Sequence, residues 1–318
     1  MIGNIIGLLL IVAVAVFLGW ATSRLWRAKN PLVKWGGTIL GGLLTLVVAL
    51  VSVVTLIGLI KGYSKVNTPA PEVVVSATPE MIARGEHIAD TFCATCHSLN
   101  TELPLTGGMD IGKDFPINLG KFVSVNLTPA GPLKDWTDGE IFRAVRDGID
   151  EEGRTLTVMS TVRGRNLSDE DLLAVIAYLR NQPPVPNETL DPPDQPNLLA
   201  VVMLGAGMLP EGEPPIESAI EAPPKGPTVE YGEYLFSYND CRECHGENLK
   251  GGVEGQLAPI GWNLELVKAW SEQDFITTMR TGVDPNGYTL SPSMPWKNVG
   301  RMDDDELGAM YAYLMAMP

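Results

Sequence analysis

The chain has 318 residues with 33 glycines, 25 prolines and a net charge of −15, so two domains fit within it and much of it runs as loop. The charge is uneven: residues 1–65 carry six Lys/Arg and no Asp/Glu, and the remainder carries 17 basic against 38 acidic side chains, a net of −21. So acidic a region excludes nucleic-acid binding and suits either a basic protein partner or a purely solubilising surface.

Residues 1–23 hold no charged side chain, and a second uncharged run extends from Trp35 to Ile60. Each reaches the ~20 residues that cross a bilayer as a helix. The first run lacks the basic start and small-residue cleavage site of a signal peptide, so a retained helix is expected. Arg24, Arg27, Lys29 and Lys34 lie between the runs, and only Lys61 and Lys65 follow them. The positive-inside rule then puts the hairpin in the cytoplasm and everything after it on the extracytoplasmic side. Gly3-x-x-x-Gly7 and Gly37-x-x-x-Gly41 permit close helix contact, within the hairpin or with another subunit. Residues 1–61 read as a two-helix transmembrane anchor in the lipid bilayer, and residues 62–77 as a polar linker.

A helix expected over Pro79–Phe92 leads into Cys93-Ala-Thr-Cys96-His97, and one over Val229–Asn239 leads into Cys241-Arg-Glu-Cys244-His245. Two thiols three residues apart with a histidine at once after them form the attachment signature of a c-type haem. The cysteines add across the two porphyrin vinyl groups and the imidazole becomes the proximal iron ligand. Zinc explains the pattern less well. Two four-ligand sites need more histidines than the three in the chain, and one shared four-thiolate site gives no reason for a His after each pair.

The surrounding residues repeat as well. Trp136 through Gly148 matches Trp270 through Gly282, Gly153-Arg-Thr-Leu156 matches Gly287-Tyr-Thr-Leu290, and Leu167 through Leu179 matches Met302 through Leu314. Thr137 and Ser271 each have an acid three residues on (Glu140, Asp274), the pattern of a capping box, and Gly148 and Gly282 stand where such helices stop. Ser168 and Asp303 cap a last helix whose apolar face carries Leu172, Ile176 and Leu179, or Leu307, Met310 and Leu314. No segment reads as a strong strand. The expected fold is therefore all-α, with two N-terminal transmembrane helices and two tandem domains over residues 78–182 and 229–318. Residues 183–228 form a Pro-rich, semi-rigid linker. Within it, the apolar run Leu198–Leu209 is too short to span a membrane and is expected on the bilayer surface or, preferentially, against a haem domain.

Only His87 lies outside the two attachment sequences, which leaves methionine as the sixth ligand. Met159 and Met294 fall in register, each 13 residues before the matching leucine (Leu172, Leu307). Met109 competes at haem 1 and Met279 and Met302 at haem 2, while His87 reads as a surface or packing residue.

Cys244-His-Gly-Glu-Asn-Leu-Lys-Gly-Gly252, Asn126-Leu-Thr-Pro129, the Trp-initiated helices and the two methionine loops resemble the class I-type cytochrome c family in its membrane-anchored dihaem form. The resemblance covers roughly residues 80–318. It implies two covalently bound haem c groups, held by Cys93, Cys96, His97, Cys241, Cys244 and His245 with Met159 and Met294 as sixth ligands. It implies crossing of the terminal helices of each domain at Gly85 and Gly232, with Tyr178 and Tyr313 opposite. A proline carbonyl would accept from each proximal His; Pro259 is the candidate at haem 2, and Pro104 lies too near His97 to assign. The implied function is one-electron relay on the periplasmic side of a bacterial cytoplasmic membrane, as part of a respiratory or photosynthetic complex. The partners would be a quinol-oxidising complex, an oxidase or a dehydrogenase, or a soluble electron carrier. A dihaem peroxidase is the enzymatic alternative and would need an iron that opens a coordination position.

Overall fold

A computed structural model describes residues 1–318. In chain order the helices are α1 (Ile2–Leu25), α2 (Pro31–Tyr63), α3 (Pro79–Ile88), α4 (Ala94–His97), α5 (Asp138–Asp147), α6 (Asp169–Asn181), α7 (Leu198–Gly205), α8 (Val229–Tyr238), α9 (Cys241–His245), α10 (Glu272–Thr281), α11 (Trp296–Val299) and α12 (Asp304–Ala316). A π-helical turn, Ala89–Cys93, joins α3 to α4. The only strands are two three-residue pieces, Gly120–Phe122 and Asp194–Pro196, which pair with each other. The chain divides into two compact units. One comprises residues 1–66, 119–121 and 195–211, and the other comprises residues 67–118, 122–194 and 212–318.

In the first unit α1 and α2 are long and apolar enough to cross a membrane. They pack on each other with Gly37 beside Leu25 and Gly41 beside Thr22, so the second small-residue spacing serves the hairpin itself. The apolar run in the linker forms α7 and packs on α2. An eight-residue apolar helix cannot cover its own sides, and α2 offers it a glycine. A Cβ at Gly58 would stand 1.8 Å from the Val201 carbonyl oxygen, and one at Gly205 would stand 1.9 Å from the Val54 carbonyl oxygen. The two backbones touch because neither residue has a side chain. Asn4 fastens this end of the unit, donating from Nδ2 to Tyr63 Oη at 3.0 Å and to the Pro196 carbonyl at 2.8 Å.

The second unit holds both repeats. Copy 1 packs α3 across α6, and copy 2 packs α8 across α12. Each crossing needs a glycine: a Cβ at Gly85 would lie 1.9 Å from the Ala174 carbonyl oxygen, and one at Gly232 would lie 2.0 Å from that of Ala309. The expected capping boxes are present at Thr137/Glu140 and Ser271/Asp274, and Gly148 and Gly282 end α5 and α10 in the left-handed conformation at φ 65° and 71°. Ser168 and Asp303 cap α6 and α12 by accepting from the backbone N–H three residues on.

The copies meet through equivalent positions exchanged, the signature of an isologous contact between two like bodies. Tyr234 of α8 reaches Asp171 of α6, and His87 of α3 reaches Glu306 of α12. Arg84 and Tyr231, which occupy matching places on α3 and α8, touch each other at 3.3 Å. Phe92 packs edge-on against Tyr238 with ring centroids 5.7 Å apart. One continuous apolar core therefore runs through both copies.

Candidate haem sites

The short helices α4 and α9 present the two attachment sequences. All four cysteines are free of disulfides. Burial pushes the thiols of Cys93, Cys96 and Cys241 up to about 12 and raises that of Cys244, so all four remain S–H at neutral pH. They do not converge on a shared point. The one set of three or more metal-capable side chains within 4.8 Å of one another is His87, Asp303 and Glu306. There Lys225 Nζ already fills the place of a cation, bonded to Asp303 and 3.3 Å from Glu306. A shared four-thiolate metal site is thereby ruled out by geometry.

Both histidines are buried, and both are oriented from behind. His97 Nδ1 lies 3.0 Å from the Val125 carbonyl, and His245 Nδ1 lies 2.7 Å from the Trp262 carbonyl. A carbonyl oxygen only accepts, so Nδ1 carries the proton in each ring and Nε2 keeps its lone pair. Burial lowers the pKa of both imidazoles, which holds them neutral. A pair of thiols beside a neutral imidazole with a free Nε2 is the donor set that covalent haem requires, and the residues fit the group.

The acceptor differs from the expected proline. Pro259 uses its carbonyl to accept from Gln256 Nε2 at 2.9 Å, and the chain passes His245 three residues later, at Trp262. Val125 and Trp262 are equivalent. Each lies two residues before a leucine (Leu127, Leu264) that donates to a leucine after the histidine, Leu105 or Leu249, at 2.9 Å. In both copies the histidine carbonyl accepts from a glycine N–H at 2.8 Å, from Gly107 in one and Gly251 in the other. The loop is longer in copy 1, and this obscured the match in the sequence. At the helix crossings, a Cβ at Gly232 would stand 2.8 Å from Tyr313 Cβ. Tyr178 follows Ala174 by one turn as Tyr313 follows Ala309, and it is buried.

Met159 and Met294 sit on matching loops. Ile149 bridges Thr155 as Val283 bridges Thr289, and Leu156 N–H donates to Gly148 O at 2.7 Å as Leu290 does to Gly282 O at 2.8 Å. Two aspartates that the sequence did not single out build these loops. Asp150 Oδ1 accepts from Glu152 and Arg154 N–H, and Asp284 Oδ1 accepts from Asn286 and Tyr288 N–H, all at 2.8–3.0 Å. Met159 and Met294 are both half-buried, and Met294 packs against the core. Of the competitors, Met279 and Met302 are buried in that core. Met109 pairs with Ser124, its carbonyl accepting from Ser124 N–H at 2.9 Å and its N–H donating to Ser124 Oγ at 3.1 Å, next to the Val125 carbonyl that holds His97.

The fold and the two sites thus define a tandem of like helical domains, each presenting a thiol pair beside a neutral imidazole, following an apolar helical hairpin. The sequence profile of the cytochrome c family matches residues 82–183 and 229–318, and the chain belongs to that family. Membership implies covalently bound haem c. A nicotinate dehydrogenase subunit of Pseudomonas putida is 28% identical over 250 residues, 71% of this chain and 20% of that protein. The gluconate 2-dehydrogenase cytochrome c subunit of Pantoea cypripedii is 36% identical over 100 residues, 27% of this chain and 22% of its own length. The cytochrome c subunit of the quinone alcohol dehydrogenase of Gluconobacter oxydans is 31% identical over 100 residues, 27% of this chain and 21% of its own length. The chain therefore spans about a fifth of the length of the curated relatives it matches.

Proposed function

We propose that this chain relays single electrons at the outer face of a bacterial cytoplasmic membrane, with one haem c in each copy and residues 1–61 as the anchor. When bound, each haem supplies a one-electron iron couple. The chain does the rest. Cys93 and Cys96, and Cys241 and Cys244, would hold the porphyrin by thioether bonds. His97 and His245 would offer Nε2 to the iron, and their Nδ1–H groups are locked to the Val125 and Trp262 carbonyls. Met159 and Met294 would supply a thioether sulfur to the iron of their own copy. Met109 is disfavoured because it is paired with Ser124, the neighbour of the Val125 that holds His97 from behind, and Met279 and Met302 are committed to the core. With both ligands in place on each iron, no position would remain for a substrate, which sets this reading against a peroxidase.

The observation that carries the proposal is the repetition, in both copies, of one thiol pair, one neutral imidazole and one carbonyl behind it. The names of the relatives favour a dehydrogenase subunit as the partner over a quinol-oxidising complex or an oxidase. Purification in mild detergent, with identification of co-purifying subunits, tests the partner. Haem staining after denaturation tests the cofactor: two haems per chain that resist acid-acetone extraction are expected, and extractable haem refutes the reading. Met159→Ala and Met294→Ala should each remove the weak red-end sulfur-to-iron band of one haem. Spectra unchanged in both variants would refute the ligand assignment.

A further inference from the structure

The two copies differ in what covers the loops behind the proximal histidine. In copy 1 an extended stretch of the Pro-rich segment, residues 185–194, lies over them. The Val185 carbonyl accepts from Asn126 Nδ2 at 2.9 Å and from Thr128 Oγ1 at 3.2 Å. The Asn187 carbonyl also accepts from Asn126 Nδ2, at 3.1 Å, and its side chain donates to the Thr106 carbonyl at 2.8 Å. Further along, the Pro193 carbonyl accepts from Val123 N–H at 3.1 Å and the Asp194 carboxylate from Thr157 N–H. Asn126 is fully buried under this cover, and Ile149 nearly so.

In copy 2 the equivalent face is bare. Ile260, Trp262, Val283 and Tyr288 stand where copy 1 has Val123, Val125, Ile149 and Arg154, and they are 59%, 55%, 39% and 47% exposed. They form one patch: the Trp262 and Tyr288 rings pack 4.7 Å apart, and Val283 bridges Thr289 beside Tyr288. The patch lies over the carbonyl that orients His245. Its means of gripping a strand is already used, because Asn263 Nδ2 donates to Glu265 Oε2 at 2.9 Å where Asn126 holds the covering segment. An extended segment is therefore not what this face receives. What remains is an exposed apolar surface with the Asp284 carboxylate beside it, bonded to Tyr288 N–H at 2.8 Å. The surrounding protein is acidic, with a net charge of −21 over residues 66–318. Isolated exposed apolar residues need no explanation, but a contiguous aromatic patch marks an interaction site.

We infer that the face formed by Ile260, Trp262, Val283 and Tyr288 is the docking surface for the redox partner, a folded protein subunit with an apolar contact centre and a basic rim. This rests on the electron-relay reading and deepens it. Copy 2 is then the copy that exchanges electrons with that subunit, since the matching face of copy 1 is closed by the chain itself. Apolar contact excludes water at the centre, and charge of opposite sign steers the encounter.

The test uses the full-length chain. Ile260→Lys and Tyr288→Lys put cations where a basic rim would arrive, and Val74→Lys, at an exposed site outside the patch, is the control. Haem content and reduction by ascorbate should be unchanged in all three. Reduction of the haems through the co-purified redox subunit should slow at least tenfold in the two patch variants and not in the control. Benzoylphenylalanine placed at Tyr288 should cross-link, in intact membranes, to that same subunit. An unchanged rate through the subunit overturns the inference. So does a cross-link to a second copy of this chain, to another part of the same chain, or to nothing. A cross-link to a redox subunit other than a dehydrogenase supports the docking face while overturning the choice of partner.

Discussion

Tyr234 donates its hydroxyl to a carboxylate oxygen of Asp171 across 2.6 Å, joining the first helix of copy 2 to the last helix of copy 1. Its counterpart is His87, which donates from Nε2 to Glu306 over 2.6 Å and joins the first helix of copy 1 to the last helix of copy 2. Arg84 strengthens the first link with two bonds to Asp171, at 2.8 and 2.9 Å. A duplicated domain has thus kept a near-symmetric contact while its chemistry diverged, one side phenol and guanidinium, the other imidazole. The contact fixes the two attachment sequences in one body.

Replacing Tyr234 by Phe should destabilise the haem-bearing unit by about 1–3 kcal/mol, because the hydroxyl also accepts from the buried N–H of Ser168 at 2.9 Å and that donor is left without a partner. The ring itself still packs against Tyr231 and Tyr238. Tyr231→Phe loses only a 3.3 Å contact to Arg84 and should cost less than about 1 kcal/mol. Urea unfolding of the detergent-solubilised chain compares them. Equal losses in the two variants would show that the Ser168–Tyr234–Asp171 chain carries no special share of the interface.

Two acids give the stability opposite slopes with pH. Burial disfavours the Glu306 carboxylate, but His87, the Asp303 N–H and Lys225 outweigh it and hold its pKa below the ordinary 4.5. A folded pKa below the unfolded one contributes stability that is present above about 4.5 and is lost as pH falls through the folded value. Asp240 behaves in reverse. Burial raises it from 3.8 to about 7, only partly offset by the Arg163 N–H that it accepts at 2.8 Å. Its cost is therefore absent below 3.8, grows as pH rises, and is complete above about 7. Asp240→Asn keeps an acceptor for Arg163, so it should stabilise the chain at pH 8 and leave it unchanged near pH 4. Glu306→Gln should destabilise it at pH 7 and lose that effect as pH falls below 4.5 through the folded value. Unfolding midpoints measured across this range decide both, and parallel curves for variant and parent would refute the assignments.

Gly85→Ala and Gly232→Ala probe the helix crossings. Each adds a methyl less than about 2.1 Å from a carbonyl oxygen of the opposing helix, so α3 must move off α6, or α8 off α12. Such overpacking costs on the order of 1–3 kcal/mol or more, and the circular dichroism of the helices should persist while the unfolding midpoint falls. Gly3→Ala, with nothing within 4 Å of the new carbon, should leave the midpoint unchanged.

Much of this was legible in the sequence because it depends on short, local signals. The Cys-x-x-Cys-His pairs, the capping boxes at Thr137 and Ser271 and the stops at Gly148 and Gly282 each follow from a few residues in fixed spacing, and the crossings at Gly85 and Gly232 came from the family resemblance. What the sequence hid is non-local. Trp262 holds His245 through a backbone carbonyl, and any residue type can supply a carbonyl, so no side chain announced it. The same holds for Val125, which lies 28 residues from His97, whereas Trp262 lies 17 from His245. The partner of α7 was equally hidden, because an apolar run states that it will be covered but not by what. Only the glycines, Gly58 on α2 and Gly205 on α7, carried the answer, and glycine is common in apolar helices. Asp150 and Asp284 could have been found, since they stand at matching places before Gly153 and Gly287, the position of an Asx turn.

The shorter loop of copy 2 bears directly on the His245 ring. It brings Gly261 so close to His245 that a Cβ there would stand 2.7 Å from Nδ1 and 2.9 Å from Cγ and Cε1. Copy 1 carries Ser124 at the matching position, where the longer loop turns the side chain to accept from Met109 N–H at 3.1 Å. Gly261→Ala should therefore tilt the His245 ring or lengthen its 2.7 Å bond to Trp262, and either change weakens the imidazole as a ligand. In a spectroelectrochemical titration of the full-length chain, one of the two haem couples should shift and the other should stay. Ser124→Ala removes a hydrogen bond without approaching His97 and should leave both couples in place. A Gly261→Ala chain with both couples unmoved would mean that the ring position is set by the iron and the thioethers, and not by the loop behind it.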